Sequence, residues 1–343
     1  MKGLNKTLKN GLKYSIILSI LVIIGVLVFT TEEKTLNALL KLDILTIFYA
    51  ILLNILSWIF SALRYMSLIN SVEKKINFIE ALQIHLSYYF AAGITPTSAG
   101  GEPLEIYLLS KKNIKVGQVT ALSLLRYTLN ILIFAIATPI VLYFYSFLFP
   151  NRIVKDLIRY SSFFLGVVVG IFLISLYKPK PVKKILAKFL LRICHFPFLR
   201  NIHPYKLIRA VYKTVDDFHK TLWTFMKDKK LDLLKFSILN ILSWFTYFLI
   251  APIILKGFGL KIYFLNLILI QIPIFFLLFY VPTPGGSGAS ELLFSLAFAP
   301  YVPKYILGIF IIIWRLLTHY FTLIIGGFVL VYILGIKNWG NNN

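Results

Sequence analysis

Long apolar runs follow one another along most of the chain, and short polar segments separate them. Six runs approach or exceed the roughly 20 residues that a helix needs to cross the hydrocarbon core of a bilayer. Two further stretches are each interrupted once by glycine and proline, which leaves halves too short to cross separately. The pattern predicts an all-α polytopic membrane protein with about six full crossings and two re-entrant broken-helix hairpins. The six runs are 14–30, 44–69, 116–147, 158–177, 233–255 and 304–335, and the interrupted stretches are 78–110 and 263–299.

The chain also contains an internal duplication. The hexapeptide that begins at Leu53 recurs at Leu239, and the first interruption, 95–102, recurs loosely as 283–291. Matching positions are separated by 186 to 189 residues, so the matches belong to one duplication with small insertions. We interpret residues 1–343 as a single transmembrane domain, with repeat 1 at 44–147 and repeat 2 at 233–335. Many transporters build a site inside the bilayer from paired broken helices in such duplicated folds.

Composition agrees with this class, and charge gives an orientation. Only 14% of the residues are charged, whereas a soluble protein has roughly 25%. Of the 36 lysines and arginines, 24 fall on one side of the predicted topology and eight on the other. The positive-inside rule therefore predicts a cell-membrane protein with cytoplasmic N- and C-termini, and in this orientation the two repeats are inverted. Because the basic residues follow the topology in this way, the net charge of +23 does not indicate a nucleic-acid partner.

The two interruptions are the candidate binding site. Irregular backbone at membrane depth must be buried in protein or line a water-filled cavity. A half-helix starts after each interruption, and its free N–H groups and positive dipole end favour an anion such as a phosphate. The residues expected to form the site around the interruptions are Thr95, Gly100, Gly101, Glu102, Thr283, Gly285, Gly286, Ser287 and Glu291.

The two glutamates of this set have two interpretations. Glu102 and Glu291 stand at the starts of the half-helices, where a carboxylate caps free N–H groups. The alternative is that they titrate, or pair with arginine, inside the site. The two roles are compatible with each other.

Two arginines lie deep in apolar runs that follow the interruptions. An arginine near the middle of a membrane helix costs at least about 2.5–3.5 kcal/mol, so Arg126 and Arg315 should face a partner or a wet cavity. Asn130 and His319 follow one turn later on the same helix faces. One interpretation is an internal glutamate–arginine ion pair that fixes the packing of hairpin against helix. The other is a phosphate headgroup held by the planar guanidinium forks.

Residues 178–230 form a basic connection between the repeats, which the predicted orientation places in the cytoplasm. The apolar residues of 182–193 fall on one helical face and the lysines fall elsewhere, which predicts an amphipathic helix at 181–194 on an anionic inner leaflet. Ordinary positive-inside bias without lipid specificity is the alternative. The histidines and Cys194 of this connection lack strong zinc-site spacing, and we expect neither a metal nor a cofactor.

These features resemble a known family. The stretches Thr95–Glu102 and Pro282–Glu291, with Arg126 and Arg315 in the helices after them, are similar to the lysylphosphatidylglycerol synthase transmembrane region, also called UPF0104. The resemblance covers nearly the whole chain. In multiple-peptide-resistance proteins a similar domain moves aminoacylated phospholipid to the outer leaflet, so the resemblance implies lipid translocation. The sequence ends at Asn343 without that family's soluble aminoacyl-transfer domain, and we expect translocation without synthesis.

The leading hypothesis is thus a flippase or translocase, not an enzyme. An anionic or phosphate-bearing headgroup would cross through the cleft between the hairpins, and the resemblance implies a membrane phospholipid or a polyprenyl phosphate. A membrane-embedded enzyme of lipid-linked glycan metabolism is one alternative, although the sequence has no nucleotide-binding glycine loop and no tight Asp/His cluster. A scaffold for a partner lipid synthase is another. The sequence leaves a homo-oligomer open.

Overall fold

A computed structural model gives the arrangement of these segments. It describes residues 32–71, 75–112, 114, 116–150, 179–193 and 204–335, with isolated positions within 24–28 and 152–170. All regular elements in this part of the chain are helical, and four helices are long and apolar enough to cross a membrane. The prediction of an all-α polytopic membrane protein is confirmed. The predicted crossings 14–30 and 158–177 lie largely outside the described residues.

The helices follow the predicted apolar runs closely. The four candidate spans are α2, α5, α8 and the continuous segment 304–335, in which a π-helical turn, Leu316–Tyr320, joins α11 to α12. The described helices are α1 (Lys34–Leu40), α2 (Ile44–Ile69), α3 (Phe78–Gly93), α4 (Gly101–Ser110), α5 (Val116–Phe144), α6 (Pro179–Ile193), α7 (Pro204–Asp228), α8 (Lys230–Gly257), α9 (Phe264–Leu278), α10 (Ala289–Phe298), α11 (Lys304–Arg315) and α12 (Phe321–Gly335).

Polar caps fix where two of these helices begin. The Asp43 carboxylate accepts a hydrogen bond from the backbone N–H of Leu45 at 3.0 Å, which starts α2. Asn77 and Glu80 form a reciprocal capping box that starts α3. Each cap satisfies N–H groups that would otherwise be unpaired at the helix end.

Helices α2 and α8, which carry the repeated hexapeptide, pack against each other in antiparallel orientation. The backbone N–H of Asp43, just before α2, donates to the carbonyl of Gly257 at the end of α8. Near the middle, the hydroxyls of Ser61 and Ser243 are 2.7 Å apart, and Ser243 also donates to the carbonyl of Ser57. Antiparallel packing of equivalent helices is what an inverted repeat requires.

The two interrupted stretches form pairs of short helices. Helices α3 and α4 have 16 and 10 residues, and α9 and α10 have 15 and 10. None of the four reaches the roughly 20 residues of a membrane span. The two interruptions meet, because a methyl group added at Gly285 would lie 3.0 Å from the carbonyl oxygen of Gly93. The irregular backbone of both hairpins is therefore brought to one place in the fold.

The backbone makes the same turn in both interruptions. A proline opens a short 3-10 turn in each copy, at Pro96 and at Pro284. The next two residues have positive φ angles of 55° and 57° at Thr97 and Ser98, and of 57° and 67° at Gly285 and Gly286. Glycine adopts this left-handed region freely, whereas a residue with a side chain is strained there. The duplication thus preserved a backbone shape that only the second copy adopts without strain.

The connection between the repeats contains two helices, α6 and α7, which pack against each other. The ammonium of Lys183 lies 2.5 Å from the carboxylate of Asp216. Phe225, near the end of α7, is 2% exposed and belongs to the same apolar cluster as Ile76, two residues before α3, and Ile114, just before α5. The connection is therefore attached to these helix starts. The predicted helix at 181–194 is present as Pro179–Ile193.

Candidate functional site

A cavity of about 280 Å³, lined by both polar and aromatic residues, lies at the centre of the bundle. The middle residues of the four candidate spans all line it, namely Ser57 in α2, Asn130 in α5, Ser243 in α8 and His319 in the π-helical turn. A cavity at the midpoints of helices that are long enough to cross a bilayer would lie near the membrane midplane. Irregular backbone from both interruptions also lines it, at Ser98, Gly285 and Gly286. This arrangement satisfies the requirement that such backbone be shielded from lipid.

The first arginine of the cavity, Arg126, is held in a buried ion pair. Its Nη2 lies 2.6 Å from Oε2 of Glu105, and the hydroxyl of Ser123 donates to Oε1 of the same carboxylate at 2.6 Å. The rings of Tyr88 and Tyr65 face the guanidinium, with ring centroids 4.7 and 5.4 Å from Cζ. Arg126 is therefore neutralised and fixed in orientation, while it still forms part of the cavity wall.

Glu102, which the repeat comparison matched with Glu291, is not the partner of Arg126. Its Oε1 accepts a hydrogen bond from the hydroxyl of Tyr88 at 2.8 Å, and its side chain is half-buried outside the cavity wall. The described structure gives it no capping bond to the start of α4. The partner is Glu105, one turn further along α4, which sequence reasoning missed. The sequence did offer one signal for Glu105, because it lies three residues after Glu102 and therefore on the same face of the helix.

The second arginine, Arg315, pairs with the glutamate of the second interruption. Its Nε donates to Oε1 of Glu291 at 3.0 Å, and its Nη2 donates to the carbonyl of Gly285 at 2.8 Å. The hydroxyl of Ser287 lies 3.4 Å from the same Nη2. The arginine thus ties the left-handed turn to the start of α10 and also lines the cavity.

Glu291 combines both roles that the sequence allowed. Its Oε2 accepts from the backbone N–H of Gly288 at 2.8 Å, which caps α10, and from the hydroxyl of Ser290 at 2.7 Å. Its other oxygen pairs with Arg315. The carboxylate is fully buried and does not line the cavity, whereas Ser290 does.

A third arginine in the cavity wall, Arg64 of α2, was not predicted to be part of the site. It is 7% exposed, and its Nη1 donates to the amide oxygen of Asn240. Its Nε has no hydrogen-bond partner, and its guanidinium has no ion pair with any carboxylate that the structure describes. The guanidinium faces the ring of Phe236, with 5.8 Å from Cζ to the ring centroid. The sequence offered only a weak signal for this role, namely that Arg64 is a basic residue within the apolar run 44–69.

The polar residues predicted beside the arginines also lie in the wall. The amide oxygen of Asn130 accepts from the indole N–H of Trp244 at 2.8 Å. His319 is 2% exposed, and its Nδ1 lies 3.4 Å from the hydroxyl of Tyr89. The predicted site residues that line the cavity are Arg126, Arg315, Asn130, His319, Gly285 and Gly286; those that do not are Thr95, Gly100, Gly101, Glu102, Thr283, Ser287 and Glu291.

Thr95 and the glycines of the first interruption stabilise the backbone turn and do not line the cavity. The hydroxyl of Thr95 donates to the carbonyl of Ala91 at 2.7 Å and accepts from the N–H of Gly100 at 2.8 Å. A side chain at Gly101 would collide with the ring of Tyr88, which would lie 2.6 Å from the added carbon. These residues set the path of the chain between α3 and α4.

Aromatic rings form a large part of the cavity wall. Trp58 and Trp244, the last residues of the two hexapeptides, both line it, as do Tyr127, Tyr247 and Phe275. Among the described residues, no group of three or more His, Cys, Asp or Glu side chains could hold a metal ion.

Comparison with known proteins agrees with the architecture. The family model described as lysylphosphatidylglycerol synthase TM region matches residues 16–326. A UPF0104 membrane protein from Archaeoglobus fulgidus is 26% identical over 326 residues, which are 93% of this chain and 96% of that protein. The chain therefore belongs to the lysylphosphatidylglycerol synthase transmembrane-region family, a family of multi-pass membrane proteins in lipid metabolism or transport.

Proposed function

We propose that the protein moves the headgroup of a phosphate-bearing lipid across the bilayer, through the central cavity, while the hydrocarbon tails stay in the membrane. The lipid is a membrane phospholipid or a polyprenyl phosphate. The observation that carries this proposal is a cavity with three arginines in its wall at the midpoints of four apolar helices. Ionisable groups inside a membrane usually mark a substrate or ion pathway.

The size of the cavity supports a headgroup rather than a whole lipid as the occupant. Its volume of about 280 Å³ is just below the range of roughly 300–1,000 Å³ that is typical of small-molecule sites. Two acyl chains could not enter with the headgroup. The apolar tails have no need to enter, because the surrounding bilayer already solvates them.

The chemistry of the wall supports an anionic group. Arg64, Arg126 and Arg315 present planar guanidinium groups, which match phosphate oxygens in pairs. Ser290, in the first turn of the half-helix α10, also lines the cavity, so the positive end of that helix dipole is close to the occupant.

The repeat structure supplies a route for opening the cavity to each side in turn. Small residues, Ser57, Ser61, Ala62 and Ser243, lie at or near the interface of α2 and α8. Small residues let membrane helices approach closely, and packed helices can slide by small shear motions. We infer that the two repeats move against each other across this interface around a fixed site.

We favour translocation over the two alternatives. The buried carboxylates next to the cavity are engaged with arginines, as in the pairs Arg126–Glu105 and Arg315–Glu291, and are thus poorly placed to act as the free bases that an enzyme needs. The scaffold hypothesis would use the exposed basic face of α6, with Lys180, Lys184 and Lys188. We instead propose that this helix, at 181–194, contacts anionic lipid of the inner leaflet, with both termini cytoplasmic in the cell membrane.

A matched pair of substitutions tests the proposal. Ser57 lines the cavity, whereas its neighbour Leu56 is 37% exposed on the outside of α2. Proteoliposomes would carry a phospholipid with a fluorescent acyl chain, and dithionite added outside would quench only outward-facing label. Wild type and Leu56→Trp should expose the inner-leaflet label, and Ser57→Trp should not.

Size-exclusion profiles of the purified variants are the folding control for this pair. The proposal fails if wild type moves no more label than protein-free liposomes do. It also fails if folded Ser57→Trp moves lipid as fast as Leu56→Trp.

A further inference from the structure

We propose that Arg64 is the residue that holds the anion, and that the group it takes is a phosphate with a single negative charge. Such a group is the phosphodiester of a lipid headgroup or a free monoanionic phosphate. This inference rests on the proposed function and adds to it the binding residue and the charge class of the substrate. Arg126 and Arg315 then serve to hold the hairpins in place.

The first reason is the difference between the three guanidinium groups of the wall. Arg126 and Arg315 each contact a buried carboxylate, Glu105 and Glu291, at 2.6 and 3.0 Å. Arg64 has no such contact with the carboxylates that the structure describes, which include all acidic residues of the chain except Glu73. Two of the three guanidinium groups in the wall thus have a carboxylate in contact, whereas the positive charge of Arg64 has none among the described residues. One singly charged anion would balance it.

The second reason is the geometry around Arg64. Asn240, in the repeated hexapeptide of α8, accepts a hydrogen bond from Nη1 with its amide oxygen, and its Nδ2 has no partner. A neutral acceptor fixes the direction of a guanidinium group without cancelling its charge. Because the Nε of Arg64 is also without a partner, the donor capacity of the side chain is not used up within the protein.

The third reason is that neighbouring groups can complete the coordination of a phosphate. Ser61 and Ser57 precede Arg64 on α2 and line the same cavity, with His85 of α3 also in the wall. Ser61 and Ser57 fall on the face of α2 that carries Arg64 because they are three and seven residues away. Both hydroxyls are hydrogen-bonded within the protein, Ser57 to the carbonyl of Asn54 and Ser61 to the hydroxyl of Ser243, so each would exchange its present partner for a phosphate oxygen. Glu102, the other carboxylate near this region, is outside the wall and bonded to Tyr88.

The fourth reason is energetic. A buried charge without a counter-ion destabilises a protein, and such residues persist where a ligand supplies the missing partner. Arg64→Gln should therefore leave the thermal midpoint of lipid-free protein unchanged or raise it. Arg126→Gln should lower the midpoint, because it strands the buried carboxylate of Glu105. A merely structural Arg64 would behave like Arg126.

The binding experiment uses purified full-length protein in detergent and follows the thermal midpoint as ligand is added, since a ligand that binds the folded state raises it. The lipid probes are dioctanoyl phosphatidylglycerol, dioctanoyl phosphatidic acid and dioctanoylglycerol at pH 8, where the phosphomonoester is largely doubly charged. Inorganic phosphate is compared with phosphatidylglycerol at pH 6, where the inorganic anion is largely singly charged. The variants are Arg64→Gln and Arg64→Lys. Lys235→Gln removes a positive charge from an exposed position of α8 and is the matched control. Glu73→Gln tests the one carboxylate outside the described residues.

We expect phosphatidylglycerol, but not dioctanoylglycerol, to stabilise wild type and Lys235→Gln. Arg64→Gln should need at least about tenfold more phosphatidylglycerol for the same shift, the loss of one charge-assisted hydrogen bond or more. Arg64→Lys keeps the positive charge but loses the planar guanidinium group, so it should need a concentration between those of wild type and Arg64→Gln. Phosphatidic acid should bind no more tightly than phosphatidylglycerol. Stabilisation by inorganic phosphate as strong as that by the lipid, and lost in Arg64→Gln, would identify the free anion as the ligand.

Several results would overturn the inference. Equal binding by wild type and Arg64→Gln, equal stabilisation by dioctanoylglycerol, or tighter binding of the doubly charged monoester would each do so. A lower thermal midpoint of lipid-free Arg64→Gln than of wild type would also do so, and an equal fall in Glu73→Gln would identify Glu73 as the structural partner. Binding through Arg64 without translocation in proteoliposomes would refute the proposed function alone. If Arg64→Gln moves lipid as wild type does, and Ser57→Trp does not, then the inference about Arg64 is wrong while the proposed function stands.

Discussion

Arg126 and Glu105 form a buried ion pair that joins the half-helix α4 to the membrane span α5, with 2.6 Å between Nη2 and Oε2. Removal of one partner from a buried pair leaves an uncompensated charge and costs about 3–5 kcal/mol. Glu105→Gln should therefore strongly lower the midpoint of thermal unfolding in detergent. The double variant Glu105→Gln/Arg126→Gln should recover a large part of the loss. Glu102→Gln is the matched control, because Glu102 is half-buried and has no ion pair in the described structure.

The comparison separates this pair from general sensitivity of α4 to substitution. If Glu102→Gln and Glu105→Gln lower the midpoint equally, the ion pair is not what joins the hairpin to the span.

Substitutions at equivalent positions of the two interruptions should change the free energy of unfolding in opposite directions. Thr97 and Gly285 occupy equivalent positions with φ of 55° and 57°. Thr97→Gly relieves strain in the first copy and should raise the free energy of unfolding, by about 1 kcal/mol at most. Gly285→Ala should lower it by more, because the added methyl group would overlap the ring of His319. Thermal unfolding of both variants checks the pair, and destabilisation by Thr97→Gly would contradict the strained geometry.

Asn54 should stabilise the π-helical turn after Arg315. Its Nδ2 donates to the carbonyl of Leu317 at 2.8 Å and to the hydroxyl of Thr322 at 3.2 Å. A π-turn breaks the regular pattern of backbone hydrogen bonds, so an outside donor is needed. Asn54→Ala should cost about 1–3 kcal/mol, the penalty of a buried unsatisfied group. Ser67→Ala, which loses only a bond to the carbonyl of Arg64 in its own helix, should cost much less.

Hydrogen–deuterium exchange gives a second readout for the same variant. Faster exchange in 316–322 of Asn54→Ala than of Ser67→Ala would support the role of Asn54, and unchanged exchange would contradict it.

The orientation in the membrane can be tested with two exposed lysines. Lys184 lies on α6 and Lys304 at the start of α11, and the charge distribution puts them on opposite sides of the membrane. Single cysteines would replace each in a Cys194→Ser background. A membrane-impermeant maleimide added to intact cells should label Lys304→Cys and not Lys184→Cys, and inside-out vesicles should give the reverse. Labelling of both from the same side would refute the predicted topology.

The helices and their interruptions could be predicted because they depend on local properties. The length of an apolar run sets a membrane span, and proline with glycine ends a helix wherever it occurs. Glu291 could be connected with Arg315 for a similar reason, since the capping position fixes where the carboxylate sits. The helices and their interruptions repeat in both halves, so the duplication strengthened the prediction of each.

The features that sequence reasoning missed are those in which the two halves differ. The duplication matches Glu102 with Glu291 and Glu105 with Phe294, so it pointed away from the actual partner of Arg126. Arg64 corresponds to Ile250 and had no repeat signal at all. Which residue of a helix face meets a charge depends on how helices rotate and pack, and that is a property of the whole fold. The asymmetric residues of the cavity therefore required the structure.

The most direct test of the account is to fill the cavity chemically between the two interruptions. In a Cys194→Ser background, Ser98→Cys puts a thiol in the cavity wall, and Thr97→Cys puts one at the exposed neighbouring position. Both proteins would be treated with a bulky thiol reagent, and translocation of fluorescent phosphatidylglycerol would be measured in proteoliposomes. We predict that the reagent stops lipid movement by Ser98→Cys and leaves that by Thr97→Cys unchanged. Undiminished lipid movement by fully modified Ser98→Cys would contradict passage through the cavity.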